Sequence, residues 1–143
     1  MTKRKNYGMS LLELMVTVVI IGILGAISYP SYVNYVRRTN RTDATATLLR
    51  VASAQEKFFG LKNTYSDTMG SGGLNISGTE RGYYTLSFSG TPDAVQFTAV
   101  ATAPSGSRQF ADTDCRTFTI TSTGIRGAKK ADGTTDNTAA CWR

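Results

Sequence analysis

The run Met9–Tyr29, MSLLELMVTVVIIGILGAISY, carries a single charge, Glu13. About 20 predominantly apolar residues cross a bilayer core as a helix, so this run is expected to span a membrane. A carboxylate inside a membrane helix costs about 2.5 to 3.5 kcal/mol at the centre and less near an end. Glu13 is therefore expected to meet a partner or a polar cavity, the alternative being a charge tolerated close to the interface.

The flanks narrow the reading. Lys3, Arg4 and Lys5 crowd the short segment ahead of the run, and the positive-inside rule holds that end in the cytoplasm while the rest of the chain is exported. A secretory signal would place a small-residue cleavage site after the apolar run. Here the run ends in AISYPSY and continues into helix-compatible sequence, so cleavage after it is not expected.

The stretch KNYGMSLLELMVTVVIIGILGAISYPSYVNY resembles the class III signal and N-terminal helix of type IV pilins. The resemblance implies that a prepilin peptidase cuts after Gly8, that Met9 becomes the new N-methylated first residue, and that Glu13 is the family's glutamate five places in. The family usually has Phe at the first mature position, and Met9 departs from that. Cutting at Gly8 creates an α-amino cation at the edge of an apolar helix, which a carboxylate from a neighbouring copy can neutralise. At ~4 Å and an effective dielectric near ~20, such a pair is worth roughly 4 kcal/mol before desolvation. Glu13 would thus set the axial register between subunits. The partners implied are other pilin subunits through the N-terminal helix, the prepilin peptidase and the inner-membrane pilus assembly machinery. The implied location is a single-pass inner-membrane protein with its N-terminus cytoplasmic and its head periplasmic, and then an extracellular pilus of a Gram-negative bacterium.

A chain of 143 residues leaves, beyond the apolar helix, little more than roughly one hundred residues for one globular head. The formal charge of +6 overstates the exported part, because Lys3, Arg4 and Lys5 precede Gly8 and leave thirteen basic residues against ten acids. Cys115 and Cys141, both in the exported segment, are expected to pair, since an oxidising compartment favours a disulfide. Two cysteines without any histidine make a poor zinc site, and their spacing is far from a redox C-x-x-C.

Residues 31–59 contain no Gly or Pro and place Val33, Val36, Asn40, Ala44, Leu48, Val51 and Phe58 near one face at helical spacing. An amphipathic helix is expected there, continuous with the apolar one. Pro30 removes an amide donor and clashes with the carbonyl of Ala26, and Gly22 and Gly25 lower helix propensity, so a kink or local unwinding is expected. The pilin resemblance implies that the segment 22–30 melts when the subunit enters the filament. Residues 60–82 then read as a long polar loop.

Strands follow. YYTLSFSG places Tyr84, Leu86 and Phe88 on one face, and VQFTAVATA places Val95, Phe97, Ala99 and Ala101 on one face, with GTPDA as the turn of a hairpin. RTFTITS supplies Phe118 and Ile120 before a turn at Thr123 and Gly124. Three or four antiparallel strands packed on the helix give an α+β roll. The organisation expected is a leader over 1–8, a transmembrane and polymerisation helix over 9–29, an amphipathic helix over 30–59, and the loop, sheet and disulfide-bounded region over 60–143.

The stretch AQEKFF…NTYS…GYYTLSF…CRTFTITSTG…CW is similar to the PilE-like minor pilins, which extends the resemblance over the whole chain. The polar run GIRGAKKADGTTDNTAA is too polar to build a core and is expected to be held mainly by its ends; the resemblance implies that it is the variable region at the filament surface. Arg126, Lys129 and Lys130 form its compact basic cluster, with Asp132 and Asp136 nearby. A solvated loop of mixed charge accounts for such a cluster, while the functional alternative is contact with nucleic acid, helped by Arg108, Arg116 and Arg143. Trp142, beside a cysteine, reads as packing rather than as a surface anchor.

With no His and with singly scattered acids, no nucleophile with its base and no metal cluster can be assembled, so neither an enzyme nor a cofactor is expected. The leading reading is a structural subunit of a type IV pilus, a minor pilin incorporated into or priming the filament of twitching motility, adhesion or DNA uptake. The alternatives are a DNA-binding pilin of natural transformation, a major pilin, or a type II secretion pseudopilin. NRT at Asn40 and NIS at Asn75 match a glycosylation triplet that also arises by chance.

Overall fold

The computed structural model describes residues 9–143. Lys3, Arg4, Lys5 and Gly8, with the expected cleavage site, lie outside the described residues. The chain divides into two compact units, the first ending at Val36 and the second running Arg37–Arg143. Helix α1, Leu11–Lys62, contributes to both.

In the first unit most apolar side chains are exposed among the described residues: Leu11, Leu12, Ile21 and Ile27 are each more than three-fifths exposed. A helix apolar all round needs a bilayer or neighbouring helices to cover it. The expected unwinding around Pro30 is not seen, because α1 is helical through Gly22, Gly25 and Pro30. Proline removes one i→i−4 bond only, and the turns on either side keep their own. Met9, just ahead of the helix, is exposed. Glu13 lies in the first turn, where a carboxylate offsets the positive end of the helix.

In the second unit α1 turns a stripe of Asn40, Asp43, Ala44, Thr47, Leu48, Val51 and Gln55 inward. It ends at Lys62, three residues past the expected boundary, where Asn63 takes a left-handed φ of 55° and its amide caps the carbonyl of Phe59 at 2.8 Å.

Four antiparallel strands follow, in the order β1-β2-β3-β4: β1 Thr85–Phe88, β2 Thr98–Thr102, β3 Thr117–Thr121 and β4 Arg126–Lys129. TAVAT and TFTIT place β-branched Thr98, Val100, Thr102, Thr117, Thr119 and Thr121 on one face and Ala99, Ala101, Phe118 and Ile120 on the buried other, as suits a pleated sheet with one core face. Phe97, Ala99, Ala101, Phe118, Ile120 and Ala128 form one core with Ala44, Leu48 and Val51 of α1.

Two expectations are corrected. Val95 is 80% exposed instead of sharing the core face of β2. The Asp93 carboxylate accepts from the amides of Val95 and Gln96 at 2.7 and 2.8 Å, curling the chain into a turn there. The polar run after Gly124 is not held mainly by its ends, since it contains β4, whose Ala128 is buried in the core opposite Phe118. One apolar residue in RGAK gives no alternation to read.

The open edge of β4 is covered by the C-terminal segment, as an exposed edge strand requires. The amide of Ala128 donates to the Thr138 hydroxyl at 2.8 Å, and its carbonyl accepts from the amide of Asn137 at 2.9 Å. Trp142 packs on Phe118 and donates its indole N–H to the carbonyl of Gly127 at 2.8 Å.

The segment after α1 is also packed. Gln55 exchanges two 2.8 Å hydrogen bonds with the backbone of Ser66, and Leu74 and Ile76 enter the core. Gly73 is required there, because a Cβ at this position would lie 1.9 Å from the carbonyl oxygen of Thr68.

Candidate nucleic-acid interface

The disulfide between Cys115 and Cys141, with Cα atoms 5.8 Å apart, brings the C-terminal turn against α1. Helix α2, Thr138–Cys141, ends there. Between them opens a cleft of about 340 Å³ lined by Arg38, Arg41, Thr42 and Thr45 from α1 and by Asp114, Ala140, Cys141 and Arg143.

A buried polar network fixes one wall. Arg41 grips Asp112 through two hydrogen bonds of 2.7 and 2.9 Å, with side chains only 12% and 3% exposed. Asp112 also accepts from the amides of Asp114 and Cys115. Gln109, in the 3-10 turn Arg108–Ala111, donates to the carbonyl of Arg37 at 2.9 Å and accepts from Asn40 at 3.3 Å. This use of Asn40, which is 7% exposed, leaves no room for a glycan at that triplet in the folded chain, whereas Asn75 is exposed.

The other cations of the cleft remain available. Arg143 donates its Nε to the carbonyl of Ala139 at 3.1 Å, which leaves both terminal nitrogens. Arg38 is exposed and makes no ion pair among the described residues. Asp114 lies 3.9 Å from the Nζ of Lys130, which places Lys130 at the rim.

The basic cluster read from the sequence is thus split by the two-residue period of β4. Arg126 shares the side of Ala128 and sits over the Trp142 ring, 5.2 Å from its centroid. Lys129 lies on the opposite face, in register with Thr117, which pairs in turn with Thr102 and Thr85. Lys130 lies beyond the strand, paired with Asp114 at the rim of the cleft. Arg116 lies over Phe110 at 3.9 Å and donates to its carbonyl at 2.6 Å. Arg108 is exposed in the 3-10 turn.

The acids beside this cluster are occupied locally. Asp132 is held well below the usual carboxylate range by the hydroxyl and amide of Thr135 and the amide of Thr134, and Asp136 accepts from the Thr138 hydroxyl at 2.7 Å. Sequence reasoning missed Arg38 and Arg41. Their spacing of three on one helix face was the available signal, obscured because that helix was read for its apolar stripe. Among the described residues no group of three or more His, Cys, Asp or Glu side chains is placed to hold a metal.

Comparison with known proteins adds to this geometry. The model of the family described as "Type IV minor pilin ComP, DNA uptake sequence receptor" matches residues 30–119. The chain belongs to that family. The prokaryotic N-terminal methylation motif matches residues 3–29 of this minor pilin. Among solved structures, the Neisseria meningitidis non-core minor pilin PilV is 20% identical, covering 67% of this chain and 89% of that one, with a TM-score of 0.53. That likeness supports the same fold, a long N-terminal helix with a four-stranded antiparallel sheet. A type IV pilin from Shewanella oneidensis is 26% identical over 63% of this chain and 89% of its own, with a TM-score of 0.47. No curated protein matches.

Proposed function

We propose that the head of this type IV minor pilin binds duplex DNA through the basic surface around its disulfide. The observation that carries the reading is the convergence of Arg38, Arg41 and Arg143 on one cleft, with Lys130 beside its Asp114, in a chain matched by a family described as a DNA uptake sequence receptor. Clustered arginine and lysine supply the sequence-independent part of DNA affinity, with Lys129 extending the footprint onto the sheet. The test uses piliated cells lacking this chain. Uptake of labelled duplex is expected to return with the wild-type chain and to stay low with Lys129→Gln and Lys130→Gln together, filaments being equally abundant. Full uptake with the double variant would refute the role given to these lysines.

The assembly reading rests on the methylation motif and the apolar helix. In it Gly8 is the last leader residue, Met9 carries the methylated amine, and Glu13 of one subunit neutralises that amine on its neighbour. The N-terminus lies in the cytoplasm and the head in the periplasm until other pilin subunits take the chain into the filament, where the segment 22–30 with Gly22 and Pro30 is free to unwind. Mass spectrometry of purified filaments tests both cleavage and abundance: the expected chain begins at methylated Met9 and is a small fraction of filament mass. An intact leader in functional filaments would remove the basis for the Glu13 pairing.

A further inference from the structure

We infer that the cleft between α1 and the C-terminal turn is a seat for one tetrahedral oxyanion, a backbone phosphate of duplex DNA, held by the guanidinium groups of Arg38, Arg41 and Arg143. This inference rests on the DNA-binding reading above and deepens it.

The side chains lining the cleft include three guanidinium groups and one carboxylate, that of Asp114, with the Asp112 carboxylate behind Arg41. Of the three, only Arg41 has an acidic partner, Asp112, among the described residues. Arg38 and Arg143, from positions far apart in the chain, line the same cleft without one. Cationic side chains around one concavity sum to a positive potential that draws an anion into it.

The donors also suit the ligand. Arg41 spends Nε and Nη2 on Asp112, which locks its plane and leaves Nη1. Arg143 spends Nε on Ala139 and keeps its terminal fork. Planar guanidinium forks match phosphate oxygens two at a time, and several of them around one site favour a phosphate over a carboxylate. The cleft, of about 340 Å³, is large enough to admit a phosphate group. Contacts to phosphate position a protein on the duplex without reading its sequence. The seat therefore contributes affinity to every duplex equally.

The experiment follows the arginine Nε–H signals and the backbone amides of Asp114 and Cys141 by NMR, using the full chain in detergent micelles titrated with inorganic phosphate, alongside duplex titrations at several salt concentrations. Arg38→Gln and Arg143→Gln are the test variants, both at exposed positions; Arg50→Gln, on α1 facing Glu80, is the control. Phosphate is expected to move the Arg38, Arg41 and Arg143 signals saturably. Each test variant is expected to weaken phosphate binding and to lower duplex affinity about 3- to 10-fold for any sequence, with the salt slope reduced by about 1. Arg50→Gln should do neither. Phosphate that leaves these signals unmoved overturns the seat. So does phosphate binding accompanied by unchanged duplex affinity in both test variants, which would mark a site for small anions only; the DNA-binding reading would survive either result. No duplex binding by the wild-type chain at any salt would overturn that reading and the seat with it.

Discussion

Arg41 and Asp112 are 71 positions apart in sequence and form the most enclosed ion pair among the described residues. Removing one member of a buried pair strands the other, so Arg41→Met is expected to cost about 3 to 5 kcal/mol in urea denaturation. A loss under about 1 kcal/mol would mean that Asp112 is satisfied by its amide donors alone. Tyr84 gives a pH signature. Burial pushes its phenol up from the ordinary 10.0, against a smaller lowering by the Gln109 side chain nearby, and its hydroxyl makes no well-formed hydrogen bond among the described residues. A pKa raised in the folded state contributes stability that is fully present below about pH 10 and is lost as the pH climbs toward the folded value. Alkaline titration of stability should therefore bend downward above about pH 10 in the wild type and less so in Tyr84→Phe, which should be as stable as wild type near neutrality. A Phe variant that is clearly less stable at neutral pH contradicts this. At this scale the sequence was partly legible. Glu13 stands out because its surroundings are apolar, and the cysteines because only two exist. Arg41 does not, since its partner is fixed by tertiary structure alone.

The elements were readable wherever hydrophobic period was strong. Helix α1, the hairpin β1-β2 and strand β3 follow from spacing and alternation, and Phe97, Phe118 and Ile120 are buried as that alternation implies. β4 was not legible, because its pairing depends on Gly127 lying where a side chain would come within 2.5 Å of the Thr119 hydroxyl and on the C-terminal segment that covers its edge. The same dependence makes the region separable. Thr138→Val removes the acceptor for the Ala128 amide and should cost about 1 to 3 kcal/mol. Loss of the Cys115–Cys141 bridge, which spans 26 residues, should cost about 3 to 4 kcal/mol. Hydrogen exchange is expected to show β4 and the C-terminal turn opening in the reduced protein while β1 to β3 stay protected. Uniform deprotection of all four strands would show instead that the sheet is a single cooperative unit.

For the whole molecule, two chemistries divide the chain: an exposed apolar helix and a head that presents charge. If Glu13 pairs with the amine of a neighbouring Met9, Glu13→Ala should still be cleaved and inserted in the membrane yet enter filaments at least ~10-fold less, since losing only ~1.4 kcal/mol of the contact has that effect. Normal entry would dispose of the pairing. The head's role was less legible, because its basic surface is assembled from α1, the end of β4 and the C-terminal turn, which only the fold brings together. Its most direct test is a titration of the full chain in detergent with duplex DNA between about 50 and 200 mM salt. Contacts from Arg38, Arg143, Lys129 and Lys130 predict binding at low salt that weakens about a hundredfold over that range. Failure to bind at low salt, or an affinity indifferent to salt, would contradict the account.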